Sequence, residues 1–553
     1  MNYFPQTAPK EFSRAPKSVK TSLLPILLCF SLIGCSETPP ADQPTAVPAP
    51  ATTEPVASVA SKPDQQLKEV IDPIVTSAEY SRARWGIAVV SLPDGKLIYE
   101  HNGDDLFTPA SNMKVYTTAV ALDLLGSDYK WRTSVYSDTD PDGNGTVHGN
   151  LVLYGRGAPD LLSQSNKESI NSLEELARQI AARGIKRIQG DVIGDESYFR
   201  GDNTGDGWQW NDLQWYFGAE ASALTVNANT VELSITPAST TADQPKVVAN
   251  DPDGYVQISN NLVSVDHADQ IKLGVKRELS TNGVTVWGQY PTRVSGYGVS
   301  LSVSRPSLWA ATIFARLLKS QGIVVDGIPK FRDSRVAEKD RFNTEGKKEL
   351  ANVVSQPLEQ IVKATNKFSV NLYAELLLRT MGREKSAMLN EPSPSGRELG
   401  DDEKGTYLIR LWLTRHGVRV DGLAFHDGSG LSRLDLVKPS TTAQLLAAIR
   451  TSQAARPFRL SLPVAGTDGT LQSRLKETEG RIEAKTGTLT YDNSLSGYLA
   501  GSDGKSYAFS LICNDFTGPG SSIPLIDKLV GALDRHFNPS APRQKTASAP
   551  ARP

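Results

Sequence analysis

The chain has 553 residues, a formal net charge of −2 and 22% charged residues. This length exceeds what one hydrophobic core serves, so we expect two or three domains, and the near-neutral charge argues against nucleic acid as a partner. The 6 scattered histidines lack metal-ligand spacing and no glycine-rich phosphate loop occurs, so we predict no metal and no cofactor.

The first 34 residues have the pattern of a secretory signal. Basic residues precede the apolar run 23–32, which is followed by a lipobox-like ending, Leu32-Ile33-Gly34-Cys35. We expect Cys35 to become the lipidated N-terminus of an exported protein, anchored by its acyl chains to a membrane of the periplasm or cell envelope. Ordinary signal cleavage is the alternative, and the identity of the membrane stays open. No later stretch is apolar and long enough to span a membrane.

Two segments are predicted to stay unfolded. The tether 35–64 is rich in Pro, Ala and Thr, and the tail 539–553 is similar, so neither can bury enough apolar surface to fold. Cys29 leaves with the signal and Cys35 carries the lipid, so only Cys513 remains and no internal disulfide is possible. Cys513 lies in an apolar strand-like run, which indicates a buried small side chain rather than a nucleophile.

A β-hairpin is predicted before the first candidate catalytic residues, from strand-like runs at 84–92 and 96–101 joined by Pro93-Asp94-Gly95. The stretch Ser111-Asn112-Met113-Lys114 then follows a turn and begins a run with helical apolar spacing. Ser111 is therefore expected at a helix N-terminus. Positions i and i+3 share a helix face, so the Lys114 amine can reach the Ser111 hydroxyl there.

A long insertion follows, which is strand-rich from about 129 to 350 and has helices predicted at 172–183 and 308–321. A more polar β-like stretch lies inside this insertion. The expected domains are a catalytic domain at 65–131 and 351–538, an inserted domain at 132–228 and 290–350, and a nested domain at 229–289.

The chain returns to the catalytic domain after the insertion. Helices are predicted at 358–366, 371–381, 405–416 and 441–451, so Ser369-Val370-Asn371 falls in a link between two helices. The stretch Lys485-Thr486-Gly487-Thr488 is followed by a second hairpin at 494–500 and 505–513 and by a closing helix at 523–536. Strands from both ends of the chain thus bracket these motifs, which predicts one sheet with helices on its faces.

Three short motifs occur in a fixed order: Ser-x-x-Lys at Ser111, Ser-x-Asn at Ser369 and Lys-Thr-Gly at Lys485. This is the order of the active-site elements in serine enzymes that acylate on D-alanyl-D-alanine or on penicillin. Each motif alone is a weak signal, since Ser473 and Ser502 also begin Ser-x-x-Lys matches. The context favours Ser111, because Ser502 lies in a predicted hairpin turn.

Further stretches match a known family: 367–375 around Ser369, Asp-Gly-Ser-Gly-Leu-Ser-Arg at 427–433, and Gly-Trp-Gln-Trp-Asn-Asp at 207–212. The chain resembles the class C low-molecular-mass penicillin-binding proteins, the D-alanyl-D-alanine carboxypeptidase/endopeptidases of the penicillin-binding protein 4 type. The resemblance implies an α/β (α+β) fold, in which a transpeptidase/β-lactamase-like domain has an antiparallel sheet flanked by helices plus a helical subdomain, with two nested inserted domains. The lipobox and the tether depart from the basic pattern of the family.

Acyl transfer requires a nucleophile, a base, a proton path to the leaving amine, and donors for the oxyanion. Ser111 is predicted to attack the carbonyl of the penultimate D-Ala, with Lys114 as base if neighbours such as Lys485 lower its pKa enough. Ser369 would relay the proton towards the departing amine. Asn371 would bind the substrate's amide carbonyl and help to hold Lys114.

The Lys-Thr-Gly stretch is predicted to bind substrate from an edge strand. Lys485, Thr486, Gly487 and Thr488 would face the substrate's terminal carboxylate, and the backbone N–H groups of Thr488 and Ser111 would form the oxyanion hole.

Two further substrate-binding residues are suggested by the resemblance. Asp212 would lean into the cleft near Lys114 and the substrate side chain. Arg433 is a candidate to bind the carboxylate of a diaminopimelate side chain, and a salt bridge to a neighbouring loop is the alternative. Trp208 and Trp210 are interpreted as core or wall packing.

The sequence therefore predicts a serine-type D-alanyl-D-alanine carboxypeptidase, and also a DD-endopeptidase, that hydrolyses peptidoglycan stem peptides and crosslinks through an acyl-enzyme on Ser111. β-Lactam antibiotics would acylate the same serine as inhibitors. A β-lactamase is one alternative, disfavoured because of the long insertion and because the water-activating acidic residue of one β-lactamase class has no clear counterpart. A lipoprotein that senses β-lactams or binds peptidoglycan with little turnover is another. The oligomeric state, the peptidoglycan chemotype and the balance of the two activities stay open.

Overall fold

The structure is a computed structural model that describes residues 64–161, 172–266, 271–389 and 397–539. The predicted signal, the lipidation site Cys35, almost all of the tether and the tail beyond 539 lie outside these described residues. Within the described ranges, no helix is both long enough and apolar enough to cross a membrane.

The helices of the described residues follow the predicted ones closely, and each predicted helix is present with ends shifted by a few residues. In chain order they are α1 (Gln65–Val75), α2 (Met113–Leu125), α3 (Ser172–Ala182), α4 (Pro306–Ser320), α5 (Leu358–Phe368), α6 (Asn371–Glu384), α7 (Asp401–Arg415), α8 (Pro439–Ala448), α9 (Ala455–Ser461) and α10 (Ile523–Phe537).

The strands come mostly from the two chain ends and from the insertion. In chain order they are β1 (Arg84–Ser91), β2 (Leu97–His101), β3 (Arg132–Ser137), β4 (Thr146–Val147), β5 (Leu151–Tyr154), β6 (Arg187–Ile188), β7 (Val192–Asp195), β8 (Thr230–Thr236), β9 (Lys246–Ala249), β10 (Gln257–Val265), β11 (Lys272–Arg277), β12 (Gly283–Pro291), β13 (Tyr297–Ser302), β14 (Val324–Val325), β15 (Pro329–Arg332), β16 (Lys348–Val354), β17 (Ile482–Leu489), β18 (Asp492–Ala500) and β19 (Ser506–Asn514).

One antiparallel sheet joins the two ends of the chain, in the order β17-β18-β19-β1-β2. Successive residues of a strand point to opposite faces, and both faces are covered here. Val90 packs in a core with α2 and α8, whereas Val89 packs in a second core with α1 and α10. This sheet with helices on both faces is the arrangement predicted from the two hairpins. Cys513 is buried in β19, as expected.

The insertion forms further sheets, among them a five-stranded one in the order β15-β7-β5-β3-β16. The polar stretch predicted as a nested domain contributes the sheet β10-β12-β11, in which β10 and β12 run parallel. Val286 of this sheet and Leu153 of the larger one belong to the same hydrophobic core. The division into an inserted and a nested domain, with the boundaries given above, stays a prediction.

Candidate active site

The three motifs meet at one side of the sheet that joins the chain ends. Ser111 lies in a short 3-10 turn, Ala110–Asn112, directly before α2, so it stands at a helix N-terminus as predicted. Lys114 is in the first turn of α2, and its Nζ lies 2.9 Å from Ser111 Oγ. The i, i+3 spacing of the motif therefore brings the amine to the hydroxyl.

Two further contacts fix the Lys114 amine. Its Nζ donates to Asn371 Oδ1 at 2.7 Å and to the Ser429 carbonyl at 2.7 Å. Both of these oxygens can only accept, and Asn371 Nδ2 donates in turn to the Phe217 carbonyl at 2.9 Å, which sets the orientation of the amide. A neutral amine has two N–H bonds and one lone pair. When the two acceptors take its N–H bonds, the lone pair points at Ser111.

The surroundings favour this neutral amine. Lys114 is fully buried, and its burial lowers the pKa of the ammonium to about 7, against the opposing effect of the nearby carboxyl groups of Asp427, Glu375 and Asp435. A pKa near neutrality is the value that suits a general base at physiological pH.

A second buried lysine lies beside the first. Lys485 Nζ donates to Ser369 Oγ at 2.8 Å and to the Thr486 carbonyl at 2.7 Å. Burial, and then the positive charge of Lys114, hold the pKa of Lys485 well below its usual range. The Ser369 hydroxyl is thus held by one of two amines that disfavour each other's charge.

Ser369 has a strained backbone. It ends α5 with φ 57° and ψ 41°, in the left-handed region that residues with a Cβ rarely adopt. The preceding Lys367 anchors this turn, because its Nζ donates to the Leu462 carbonyl at 2.6 Å and pairs with Asp468. Such strain persists where the surrounding structure fixes it, and it is typical of functional sites.

The Lys-Thr-Gly stretch lies on β17, the edge strand of its sheet. A Cβ at Gly487 would come within 2.9 Å of the Pro109 carbonyl oxygen and 3.0 Å of the Ser111 nitrogen. Glycine therefore lets β17 approach the Ser111 turn. Thr486 Oγ1 donates to Thr470 Oγ1 at 2.8 Å, whereas Thr488 is exposed, with Oγ1 3.1 Å from Asn493 Oδ1.

The two substrate-side candidates interact with each other and with a hairpin. Burial raises the pKa of the Asp212 carboxyl, and the charge of Arg433 opposes this rise. Arg433 pairs with Asp492 at 2.7 Å and donates to the Thr490 carbonyl at 2.9 Å. Arg433 thus makes the salt bridge to a neighbouring loop that was predicted as the alternative to substrate binding. Within the described residues, the hydrogen bonds of Lys114 do not include Asp212.

The tryptophans of the insertion differ from each other. Trp208 Nε1 donates to the buried Asp427 at 2.8 Å, so this ring forms part of the wall of the site. Trp210 is 69% exposed, so the core role in its predicted core or wall packing was wrong. Within the described ranges, no group of three or more His, Cys, Asp or Glu side chains is placed to hold a metal ion.

Comparison with known proteins agrees with this geometry. A model of the D-Ala-D-Ala carboxypeptidase 3 (S13) family matches residues 67–535, which is most of the chain. The chain belongs to this family. It is 31% identical to a D-alanyl-D-alanine carboxypeptidase of Actinomadura sp. (strain R39), over 86% of each chain. It is 27% identical to the D-alanyl-D-alanine carboxypeptidase DacB of Haemophilus influenzae, over 78% of this chain and 85% of the relative.

The fold of this S13 enzyme is also that of a solved structure. The crystal structure of penicillin binding protein 4 (dacB) from Haemophilus influenzae matches with a TM-score of 0.71 and 24% sequence identity, over 86% of this chain and 99% of that chain. The predicted fold class is thereby confirmed. The family match confirms the resemblance and the predicted enzyme class, a serine-type D-Ala-D-Ala carboxypeptidase.

Sequence reasoning missed the parts of the S13 site that act through the backbone or through buried carboxyls. The carbonyls of Ser429 and Phe217 hold Lys114 and Asn371, and a carbonyl has no residue type by which a motif could reveal it. The signal for the first was available, because Asp-Gly-Ser-Gly at Asp427 is typical of a tight turn stabilised by an aspartate side chain.

Proposed function

We propose that this S13 enzyme removes the terminal D-alanine from peptidoglycan stem peptides, and also cleaves peptide crosslinks, through an acyl-enzyme on Ser111. The observation that carries the proposal is the arrangement of Lys114. Its amine is buried, directed by Asn371 and Ser429, and 2.9 Å from Ser111 Oγ. The endopeptidase activity is the finer part of the proposal and rests on the resemblance described above.

Acylation begins when Ser111 Oγ attacks the carbonyl carbon of the penultimate D-alanine and its proton passes to the Lys114 lone pair. The oxyanion that forms accepts hydrogen bonds from the backbone N–H groups of Ser111 and Thr488. The C–N bond then breaks, and the proton reaches the departing amine through the Ser369 hydroxyl, whose oxygen Lys485 holds at 2.8 Å. The products are free D-alanine and an ester at Ser111.

Deacylation repeats these steps with water. Lys114, neutral again, takes a proton from the attacking water, and the oxyanion forms in the same pair of N–H groups. The ester C–O bond breaks and Ser111 Oγ recovers the proton. A penicillin would form the same ester at Ser111, because opening its ring replaces loss of D-alanine.

Substrate binding is assigned to β17 and the loops opposite. An extended peptide can add to the edge of this strand beyond its bridge between Glu483 and Val464. The Lys485 amine and the hydroxyls of Thr486 and Thr488 would receive its terminal carboxylate. Asp212 and Arg433 would lie by the substrate side chain, with Arg433 released from Asp492 for a carboxylate ligand.

Location is proposed from the sequence alone. The lipobox ending at Cys35 favours an exported protein held at a membrane of the cell envelope by lipid, with the tether giving reach to the peptidoglycan.

The first experiment is mass spectrometry of the mature chain with penicillin, then with a pentapeptide ending in D-Ala-D-Ala. We expect a penicilloyl adduct on the peptide containing Ser111 and release of D-alanine, both lost in Ser111→Ala. The matched control is Ser473→Ala, an exposed serine that begins another Ser-x-x-Lys stretch. An adduct without D-alanine release would favour the sensor, fast turnover of a chromogenic cephalosporin would favour the β-lactamase, and an adduct on Ser111→Ala would refute the assignment. A crosslinked muropeptide dimer tests the endopeptidase activity separately.

A further inference from the structure

The turn after Asp427 decides where one of the Lys114 acceptors lies. The Asp427 side chain is fully buried, and its Oδ1 accepts from the backbone N–H groups of Ser429 at 3.1 Å and Gly430 at 2.6 Å. A carboxylate that binds successive N–H groups fixes a turn. This turn directs the Ser429 carbonyl at Lys114 Nζ, 2.7 Å away.

The second carboxylate oxygen of Asp427 binds a side chain of the insertion. Its Oδ2 accepts from Trp208 Nε1 at 2.8 Å and from the backbone N–H of Ser432 at 2.8 Å. Trp208 lies in the loop that also contains Phe217, whose carbonyl accepts from Asn371. One loop of the insertion therefore contacts one Lys114 acceptor, Asn371, directly, and contacts the other, the Ser429 carbonyl, through Asp427.

The carboxyl group of Asp435, which lies beside Asp427, is expected to be neutral. Asp435 is buried, with Oδ1 accepting from the His426 N–H at 2.6 Å and Oδ2 lacking a partner in the described part of the chain. A proton on Oδ2 would give it a donor directed at the Asp427 carboxyl. Burial and the nearby Asp427 charge raise the pKa of Asp435 well above its usual range, which agrees with a protonated Asp435.

We propose that Asp427 and Trp208 are positioning residues for Lys114: Asp427 shapes the turn that presents the Ser429 carbonyl, and Trp208 locks the Asp427 carboxylate from the insertion. This inference rests on the proposed function, in which Lys114 is the base. It gives the insertion a part in catalysis, because loss of the Trp208 hydrogen bond frees the turn and lets water reach the amine. The titratable groups that act on Lys114 are Glu375, Asp427, Asp435 and Lys485, and Arg379 pairs with Glu375 beside them.

The test is Trp208→Phe, which keeps an aromatic ring and removes the N–H donor. The matched control is Trp412→Phe, because Trp412 Nε1 also donates to an aspartate, Asp123, at the same distance, 2.8 Å, and lies in the catalytic domain outside the site. The second-order rate constant of acylation by a fluorescent penicillin is measured from pH 5.5 to 9.5 per titrated active site, together with kcat and KM for D-alanine release.

We expect Trp208→Phe to lower the acylation rate constant and kcat at least tenfold at pH 7, with KM within twofold of wild type. The midpoint of its acid limb should move to higher pH, because a more hydrated amine keeps its proton longer. Trp412→Phe should lower only the melting temperature. Equal rates and equal midpoints in the two variants would overturn the inference while leaving the proposed function intact. A wild-type enzyme that forms neither adduct nor D-alanine would instead overturn the proposed function and this inference with it.

Discussion

The acylation rate of Ser111 should rise with the deprotonation of Lys114 near pH 7. The neutral Lys114 amine accepts the serine proton in the proposed mechanism, and burial lowers the pKa of Lys114 to about 7. A group that must lose its proton before it acts gives a rate that rises with pH and levels off above its pKa. The rate should therefore rise through pH 7 and stay constant above about pH 8.

The size of the rate increase between pH 6 and pH 8 distinguishes a Lys114 with a lowered pKa from a lysine with an ordinary pKa. With a pKa of about 7, the neutral fraction of Lys114 grows from about one tenth at pH 6 to about nine tenths at pH 8, roughly a tenfold gain. A lysine with an ordinary pKa of about 10.4 would gain about a hundredfold over the same range and continue to rise. Burial also raises the pKa of Glu375 to about 7. The Glu375 charge favours the Lys114 ammonium, so Glu375→Gln should move the rise of the acylation rate to lower pH.

The assay is stopped-flow acylation by a fluorescent penicillin at constant ionic strength, with circular dichroism at each pH to verify folding. Lys114→Met should lower the rate constant about a hundredfold or more, the usual contribution of a general base. Lys438→Met is the matched control, since Lys438 is a partly buried lysine paired with Asp421 away from the site. A rate that still rises at pH 9.5, or a Lys114→Met variant with wild-type rates, would refute the assignment of Lys114 as base.

Three further predictions concern the supports of the site. Gly487→Ala should lower the free energy of unfolding by about 1–3 kcal/mol and abolish acylation, because its Cβ would collide with the Ser111 turn. The control is Gly298→Ala, where a Cβ meets open space, and this variant should keep the wild-type unfolding free energy and acylation. Urea unfolding and adduct formation measure the two effects. Ser369→Gly should keep the free energy of unfolding within about 1 kcal/mol of wild type, because relief of the left-handed backbone strain offsets the greater freedom of the unfolded chain. Its rate of D-alanine release should fall about a hundredfold. A strongly destabilised variant would contradict this prediction. Arg433→Ala should lower the free energy of unfolding by about 1–3 kcal/mol at pH 8 and by less at pH 5. Burial raises the pKa of Asp492, so this carboxyl takes up a proton as the pH falls and the ion pair weakens. Equal losses in urea unfolding at both pH values would count against the ion pair.

Local pattern predicted the elements of this chain well. The hairpins at 84–101 and 494–513 and the helices around Ser369 are where periodicity and turn residues placed them. Such elements are specified by side chains a few positions apart, through the two-residue period of strands and the near four-residue period of helices. Gly504, for example, has the positive φ of 76° that the predicted turn after β18 requires.

Spacing within each motif predicted part of the site for the same reason. Ser111 and Lys114 meet because they lie one helical turn apart, and Ser369 and Asn371 flank a break between helices. The core role considered for Trp210 was wrong, because a large apolar side chain favours burial in general, whereas the exposure of a given side chain depends on how its loop folds. The domain boundaries and the roles of the site residues stay predictions.

The sequence by itself determined the family of this protein, its enzyme class and the choice of candidate serines and lysines, since each of these depends on residue types in a fixed order. Only the tertiary structure decided the state of those residues. The pKa of Lys114 depends on complete burial and on carboxyls that the chain brings from α6 and from the turn at Asp427. The orientation of the Lys114 amine depends on the Ser429 carbonyl and on the Asn371 amide, which the Phe217 carbonyl holds in place. Desolvation and hydrogen-bond direction are properties of neighbours in space, and residues hundreds of positions apart become neighbours only when the chain is folded.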